Sequence, residues 1–111
     1  IIMRQITQQT VNAFFNNYPL SKGNTITAAG KFYLHGNLIA YFDNDKNLIV
    51  NNCGWFSNTT KERLNGLLSY LGHEGIKQRN FIWYLNGEAW NGREAKIFKS
   101  GAWQYTNAIK I

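Results

Sequence analysis

Two histidines, one cysteine and six carboxylates are all that this 111-residue chain offers for acid–base, nucleophilic or metal chemistry near neutral pH. Histidine is the usual proton-transfer group in that range. His35 stands at the end of an alternating run beside Gly36, a position for a polar rim residue, a base or a nucleic-acid contact. His73 follows Gly72 after a leucine-rich stretch, where an imidazolium complements the negative end of a helix dipole. Glu62 has a helix-capping task, and Asp43 and Asp45 lie in a turn where short carboxylates bond local backbone. That leaves Glu74, Glu88 and Glu94, none in a local motif with His, Ser or Cys. The acid–base pairing left to draw is His35 with Glu88 or Glu94. Cys53 has no activating neighbour and reads as a small buried hydrophobe beside Gly54. One Cys, two distant His and scattered acids match no metal-ligand spacing, and the dispersed glycines form neither phosphate-binding signature. These residues predict a protein that is not an enzyme and that holds no metal or cofactor.

The binding signals are stronger. Twelve Lys and Arg against six Asp and Glu give a formal charge of +6, which favours an acidic partner, nucleic acid first and an acidic protein surface second. Aromatic residues make up 15% of the chain, more than a small core requires, so some are expected at the surface. Read as one strand, residues 77–85 put Lys77, Arg79, Phe81 and Trp83 on one face, with Gln78, Asn80, Ile82 and Tyr84 on the other. A face that begins basic and ends aromatic can hold phosphates and stack a base. The same pattern describes a strand that is basic at its solvated end and aromatic where it enters the core. Arg93, Lys96 and Lys99, with Lys110, concentrate charge in the C-terminal third, either for a partner or for solubility. Trp90 lies among turn residues and is a candidate for exposure. Trp55, at a strand-to-helix corner, reads as a core plug, with an interface anchor as the alternative. The candidate partner-binding residues are therefore Lys77, Arg79, Trp83, Trp90, Arg93, Lys96 and Lys99.

The elements that must position them make an α+β fold, an antiparallel β-meander with two helices, at about 7–17 and 60–71, packed on it. The chain is expected to form a single compact domain over residues 1–111. Val11, Phe14, Phe15 and Tyr18 recur at helical spacing, with Thr7 as N-cap and Pro19 as the stop. Residues 25–28, 31–35, 38–42 and 47–51 read as strands separated by turn residues, Gly36-Asn37 and Asp43-Asn44-Asp45-Lys46 the clearest. Thr59 and Glu62 form a capping box ahead of Leu64, Leu67, Leu68 and Leu71, and Gly72 takes the left-handed position after the helix. Residues 77–85, 94–99 and 103–111 read as further strands. Residues 31–37 echo residues 82–88, both aromatic-Tyr-Leu-polar-Gly, which hairpin chemistry alone explains.

No run approaches the roughly 18–20 apolar residues of a membrane span, and the first residues lack a signal-peptide layout. A single cysteine fits a reducing compartment. The segments Tyr33-Leu34-His35-Gly36-Asn37, Gly54-Trp55-Phe56-Ser57-Asn58-Thr59-Thr60-Lys61-Glu62-Arg63-Leu64-Asn65 and Trp83-Tyr84-Leu85-Asn86-Gly87 resemble a family of small bacteriophage proteins, over about residues 5–91. The resemblance assigns no functional residue. It implies an accessory protein of the host cytoplasm that acts on nucleic acid or inhibits a host defence or transcription complex, an anti-CRISPR-like role among them.

Overall fold

The structure is a computed structural model and describes residues 4–106. The far end of the strand expected over 103–111, and Lys110 with it, lies outside the described residues. The order of elements is α1 (Gln5–Phe15), β1 (Leu20–Lys22), β2 (Thr25–Ala28), β3 (Lys31–Leu34), β4 (Asn37–Phe42), β5 (Leu48–Val50), α2 (Asn58–Tyr70), β6 (Ile76–Arg79), β7 (Ile82–Leu85), β8 (Glu88–Trp90), β9 (Ala95–Ile97) and β10 (Trp103–Tyr105). The fold is α+β and its strand pairs are antiparallel, as the alternation predicts. The single expected meander is instead two sheets, one in the order β1-β2-β3-β4-β5-β9-β10 and a smaller one, β6-β7-β8. The large sheet is completed by the non-local pair β5–β9, which sets Leu48 opposite Ile97 and Val50 opposite Ala95.

Tight turns build both sheets. Ala29-Gly30, His35-Gly36 and Asn86-Gly87 each have positive φ at both residues, the type I′ geometry whose twist matches paired strands. The sequence echo corresponds to β3–β4 and β7–β8. In each, a four-residue strand with alternate residues buried leads into such a turn. The match extends one strand back, since β2 and β6 are also four residues long and are followed by two-residue turns.

Both helices lie about two residues ahead of their expected positions, and the caps explain why. Asn17 adopts φ 58°, while Asn17 N–H donates to Phe14 O and Tyr18 N–H to Ala13 O, a Schellman motif that ends α1 before Pro19 is reached. Arg4, not Thr7, is the N-cap, and it makes no side-chain cap bond. At α2 the cap is Ser57, whose Oγ accepts from Thr60 N–H at 3.1 Å, in place of the expected Thr59–Glu62 box. Gly72 takes the left-handed position at φ 81°, with His73 N–H closing on Leu68 O at 3.0 Å.

One apolar cluster joins α1, α2 and both sheets. Phe14 of α1 stacks on Phe42 at 4.6 Å, and Phe15 stacks on Tyr70 of α2 at 4.1 Å. Leu64, Leu67 and Leu68 are buried, whereas Leu71, the C-cap, is exposed. Within this core sits Arg63, only 1% exposed. Its Nε donates to Thr25 Oγ1 at 3.0 Å and its Nη1 to Thr7 Oγ1 at 2.9 Å and to Glu62. Burial pulls the guanidinium pKa down and Glu62 opposes it. Thr7, expected as a cap, is thus an acceptor inside the helix, and Glu62 also receives Arg4 N–H at 3.2 Å.

Asparagines perform a parallel task for the small sheet. Asn65 of α2 accepts from Ile76 N–H and donates to Ile76 O, while Asn86 accepts from Gly75 N–H and donates to Gly101 O. These bonds hold β6 on α2 and the β7–β8 turn on the loop before β10. Replacing Arg63 by Met keeps the volume but removes the donors, so Arg63→Met is expected to lower unfolding stability by about 3 kcal/mol in urea titration.

Candidate functional site

Residues 77–85 do not form the single strand that the alternation suggests. Asn80 (φ 53°) and Phe81 (φ 67°) make a two-residue turn between β6 and β7, pairing Lys77 with Tyr84, Gln78 with Trp83 and Arg79 with Ile82. Cross-strand partners share a face. Lys77, Arg79, Ile82 and Tyr84 therefore lie together on the solvent side of the small sheet, with Ala89 of β8 beside Tyr84. Trp83 and Trp90 take the opposite face and are core residues, 1% and 2% exposed. The expected loop around Trp90 is largely strand β8, and its indole N–H donates to Arg93 O at 2.8 Å. The aromatic that accompanies Lys77 and Arg79 is Tyr84, which the parity of an unbroken strand assigned to the other face.

The remaining cations divide. The Arg79 guanidinium lies 5.3 Å over the Tyr84 ring, and Lys77 pairs with Glu74 at 3.5 Å. Arg93 lies 5.9 Å over Tyr105. Among the described residues neither Arg79 nor Arg93 has a carboxylate partner. Lys96 is on the outer face of the large sheet, bound to Asp43 at 3.4 Å, and Lys99 is exposed in the β9–β10 turn. Lys96 and Lys99 thus stand apart from the face of Lys77 and Arg79. Lys61 of α2, not singled out from the sequence, donates to Gln78 at 2.9 Å and sits 5.9 Å over Trp83.

At the turn end of the small sheet a cleft of about 440 Å³ is lined by Phe56, Phe81, Trp83, Trp90, Asn91 and Tyr105, with Ile82 and Ala89 joining it to the Lys77–Arg79 face. Phe56 packs edge-on to Trp83 at 5.0 Å, yet remains 55% exposed. Trp55, expected to plug the core, is 59% exposed and borders a separate cleft of about 480 Å³ with His35, Asn37 and Ile39. Neither aromatic of this corner fills the core. A capped helix start locates two adjacent aromatics here but does not say how far either is buried.

The acid–base candidates have local partners. His35 Nε2 is 3.3 Å from Asn24 Nδ2. Glu94 accepts from Tyr41 Oη at 2.7 Å and from Thr106 Oγ1 at 2.5 Å. Burial, reinforced by Glu94, pushes the Tyr41 phenol up to about 12. Burial and then Glu94 push the Cys53 thiol up as well, away from the thiolate form, while Cys53 Sγ donates to Leu38 O.

Asp43 shifts the other way. Burial works against its ionisation, but hydrogen bonds from Asn47 N–H, from Lys96 and from Asp45 N–H outweigh it and hold the carboxyl below the usual aspartate range. Its stabilising contribution is therefore full above the ordinary aspartate pKa of about 3.9 and is lost as pH falls through the lower folded value. Asp43→Asn is expected to be less stable than the parent at pH 7 and to show a flatter acid limb below about pH 4, measured by thermal melts across pH.

Among the described residues no helix is long and apolar enough to cross a membrane. No curated protein and no solved structure matches the chain. A protein-family model described as Kyanoviridae Gp96 protein matches residues 3–105, nearly its whole length and further in both directions than the segments that first suggested a phage origin. The chain therefore belongs to the Kyanoviridae Gp96 protein family, a family of bacteriophage proteins.

Proposed function

We propose that this phage protein is a non-catalytic accessory factor that binds nucleic acid, alone or within a nucleoprotein complex, in the host cytoplasm. The observation that carries the reading is the solvent face of the small sheet, where Lys77 and Arg79 stand on one strand opposite Tyr84 and Ile82 on the next. Cations at that spacing engage phosphates, and the half-buried Tyr84 ring beside them offers an aromatic contact. Arg79 has no carboxylate partner among the described residues, whereas Glu74 partly neutralises Lys77, so Arg79 is the stronger anion contact. The overall charge of +6 adds a long-range attraction that does not depend on sequence.

Binding of this kind weakens as counterions are restored. Retention by DNA or RNA at low salt should fall with rising salt, and Arg79→Ala or Lys77→Ala should each lower the slope of log K against log salt by about 0.7 for a single strand. Absence of retention at low salt, or binding insensitive to salt, would refute the reading.

One observation favours a second reading, an inhibitor docked on an acidic surface of a host defence or transcription complex. Trp55 and Phe56 are consecutive and both more than half exposed, and aromatic anchors of this kind concentrate energy at protein interfaces. A partner captured from nuclease-treated host lysate and lost on Trp55→Ala would support it; capture that disappears with nuclease supports the nucleic-acid reading.

A further inference from the structure

Three two-residue hairpin turns, Ala29-Gly30, His35-Gly36 and Asn86-Gly87, place glycine second, at φ 76°, 80° and 94°. The β6–β7 turn has the same positive φ at both residues but places Phe81 there, at φ 67° and 93% exposed. A phenylalanine at that position is unfavourable twice over. Its backbone occupies the left-handed region, which a Cβ disfavours, and its ring is left in water where it recovers almost none of its burial energy. Nothing in the hairpin requires a side chain there, since the other turns do without one. Strain of this kind, held where a side chain meets solvent, is characteristic of ligand clamps.

Phe81 stands at the mouth of the cleft beside the turn, whose walls are rings: Phe56, Tyr105 and the edges of Trp83 and Trp90. At about 440 Å³ it falls within the roughly 300–1,000 Å³ of small-molecule sites. No carboxylate lines it. Three cations lie beside its lining residues: Arg79 is the cross-strand partner of Ile82, with its guanidinium over Tyr84 outside the cleft, Arg93 lies over Tyr105 and Lys61 over Trp83. Asn91 offers a polar group, because its Oδ1 accepts from Arg93 N–H, which leaves the amide Nδ2 to donate to an incoming acceptor. Ring walls, one amide donor and a border of positive charge complement a flat heterocycle on an anionic backbone.

We infer that this cleft seats one unpaired nucleobase and that Phe81 stacks on it, with Arg79 and Arg93 holding the flanking phosphates. The inference rests on the nucleic-acid reading and narrows it to single strands or unpaired positions, because a base within a duplex presents no free face to a ring.

The test is fluorescence anisotropy with labelled oligothymidylate and oligouridylate, an abasic strand of the same length and a duplex, on the parent protein and on Phe81→Gly. Glycine suits the turn, so this variant is expected to melt at or above the parent temperature. It should bind the base-bearing strands about 10- to 100-fold more weakly, the range for losing one stacked base, and bind the abasic strand unchanged. The parent should prefer base-bearing to abasic strands by a similar factor; preference for thymidylate or uridylate would separate DNA from RNA as the source of the base. Equal affinity of Phe81→Gly and parent for base-bearing strands overturns the inference, as does a preference for the duplex. Equal parental affinity for base-bearing and abasic strands overturns it while leaving the electrostatic reading intact. If the parent binds no strand at low salt, the nucleic-acid reading falls, and the inference with it.

Discussion

The two helices and the first hairpin are held in register by one buried cation. Arg63 leaves α2 among leucines and reaches Thr7 in the first turn of α1 and Thr25 at the start of β2. Removing a guanidinium from water costs several kcal/mol, and only well-placed acceptors offset that cost. Each acceptor also constrains the arrangement, since a helix rotated by one residue or a strand slipped by one would withdraw a hydroxyl and leave donors unpaired. Glu62 supplies the counter-charge from the solvent side and extends the network to Arg4 at the entry of α1. The apolar contacts around it are less directional, so this network selects one packing among those that hydrophobic burial alone would permit.

Local backbone geometry does the rest of the positioning. Two-residue turns keep strands short and paired with their sequence neighbours, so the small sheet and the β1–β5 part of the large one are meanders, to which β9 and β10 are added through the non-local β5–β9 pair. Asparagine serves as the connector between pieces. Asn17 ends a helix, while Asn65 and Asn86 fasten the small sheet through backbone bonds. These attachments hold the inner face of the small sheet on the core and leave its outer face and its turn free for contact. The contrast within this sheet is direct: Trp83 and Trp90 bury the larger rings, whereas Tyr84 is half-buried and Phe81 presents its ring to solvent.

Two of the carboxylates have structural partners. Glu94 organises Tyr41 and Thr106 on the outer side of the large sheet, and Asp43 closes the β4–β5 loop and receives Lys96. Fixing carboxylates in this way also sets the charge pattern. Asp43 pairs with Lys96, Glu62 is shared between Arg4 and Arg63, Glu74 partly neutralises Lys77, and Arg79 and Arg93 remain without carboxylate partners among the described residues. Two cations without a carboxylate partner among the described residues, Arg79 and Arg93, thus lie near the turn end of the small sheet, where exposed rings also gather.

Much of this was legible in the residues themselves. Periodicity and glycine placement mark two helices, most of the strands and an antiparallel α+β arrangement, because helix and hairpin formation depend on neighbours within a few residues. The excess of basic charge is likewise a property of composition. What composition and spacing could not settle was parity and partnership. An Asn-Phe turn lacks the glycine that announces a reversal, so residues 77–85 look like one strand, and a hidden turn changes which side chains share a face with Lys77 and Arg79. That Trp55 and Phe56 both stay exposed, that Trp90 is buried, and that β5 pairs with β9 all depend on contacts between residues far apart in the chain. Local preferences carry no information about those contacts, and only the packed structure, with Arg63 at its centre, decides them.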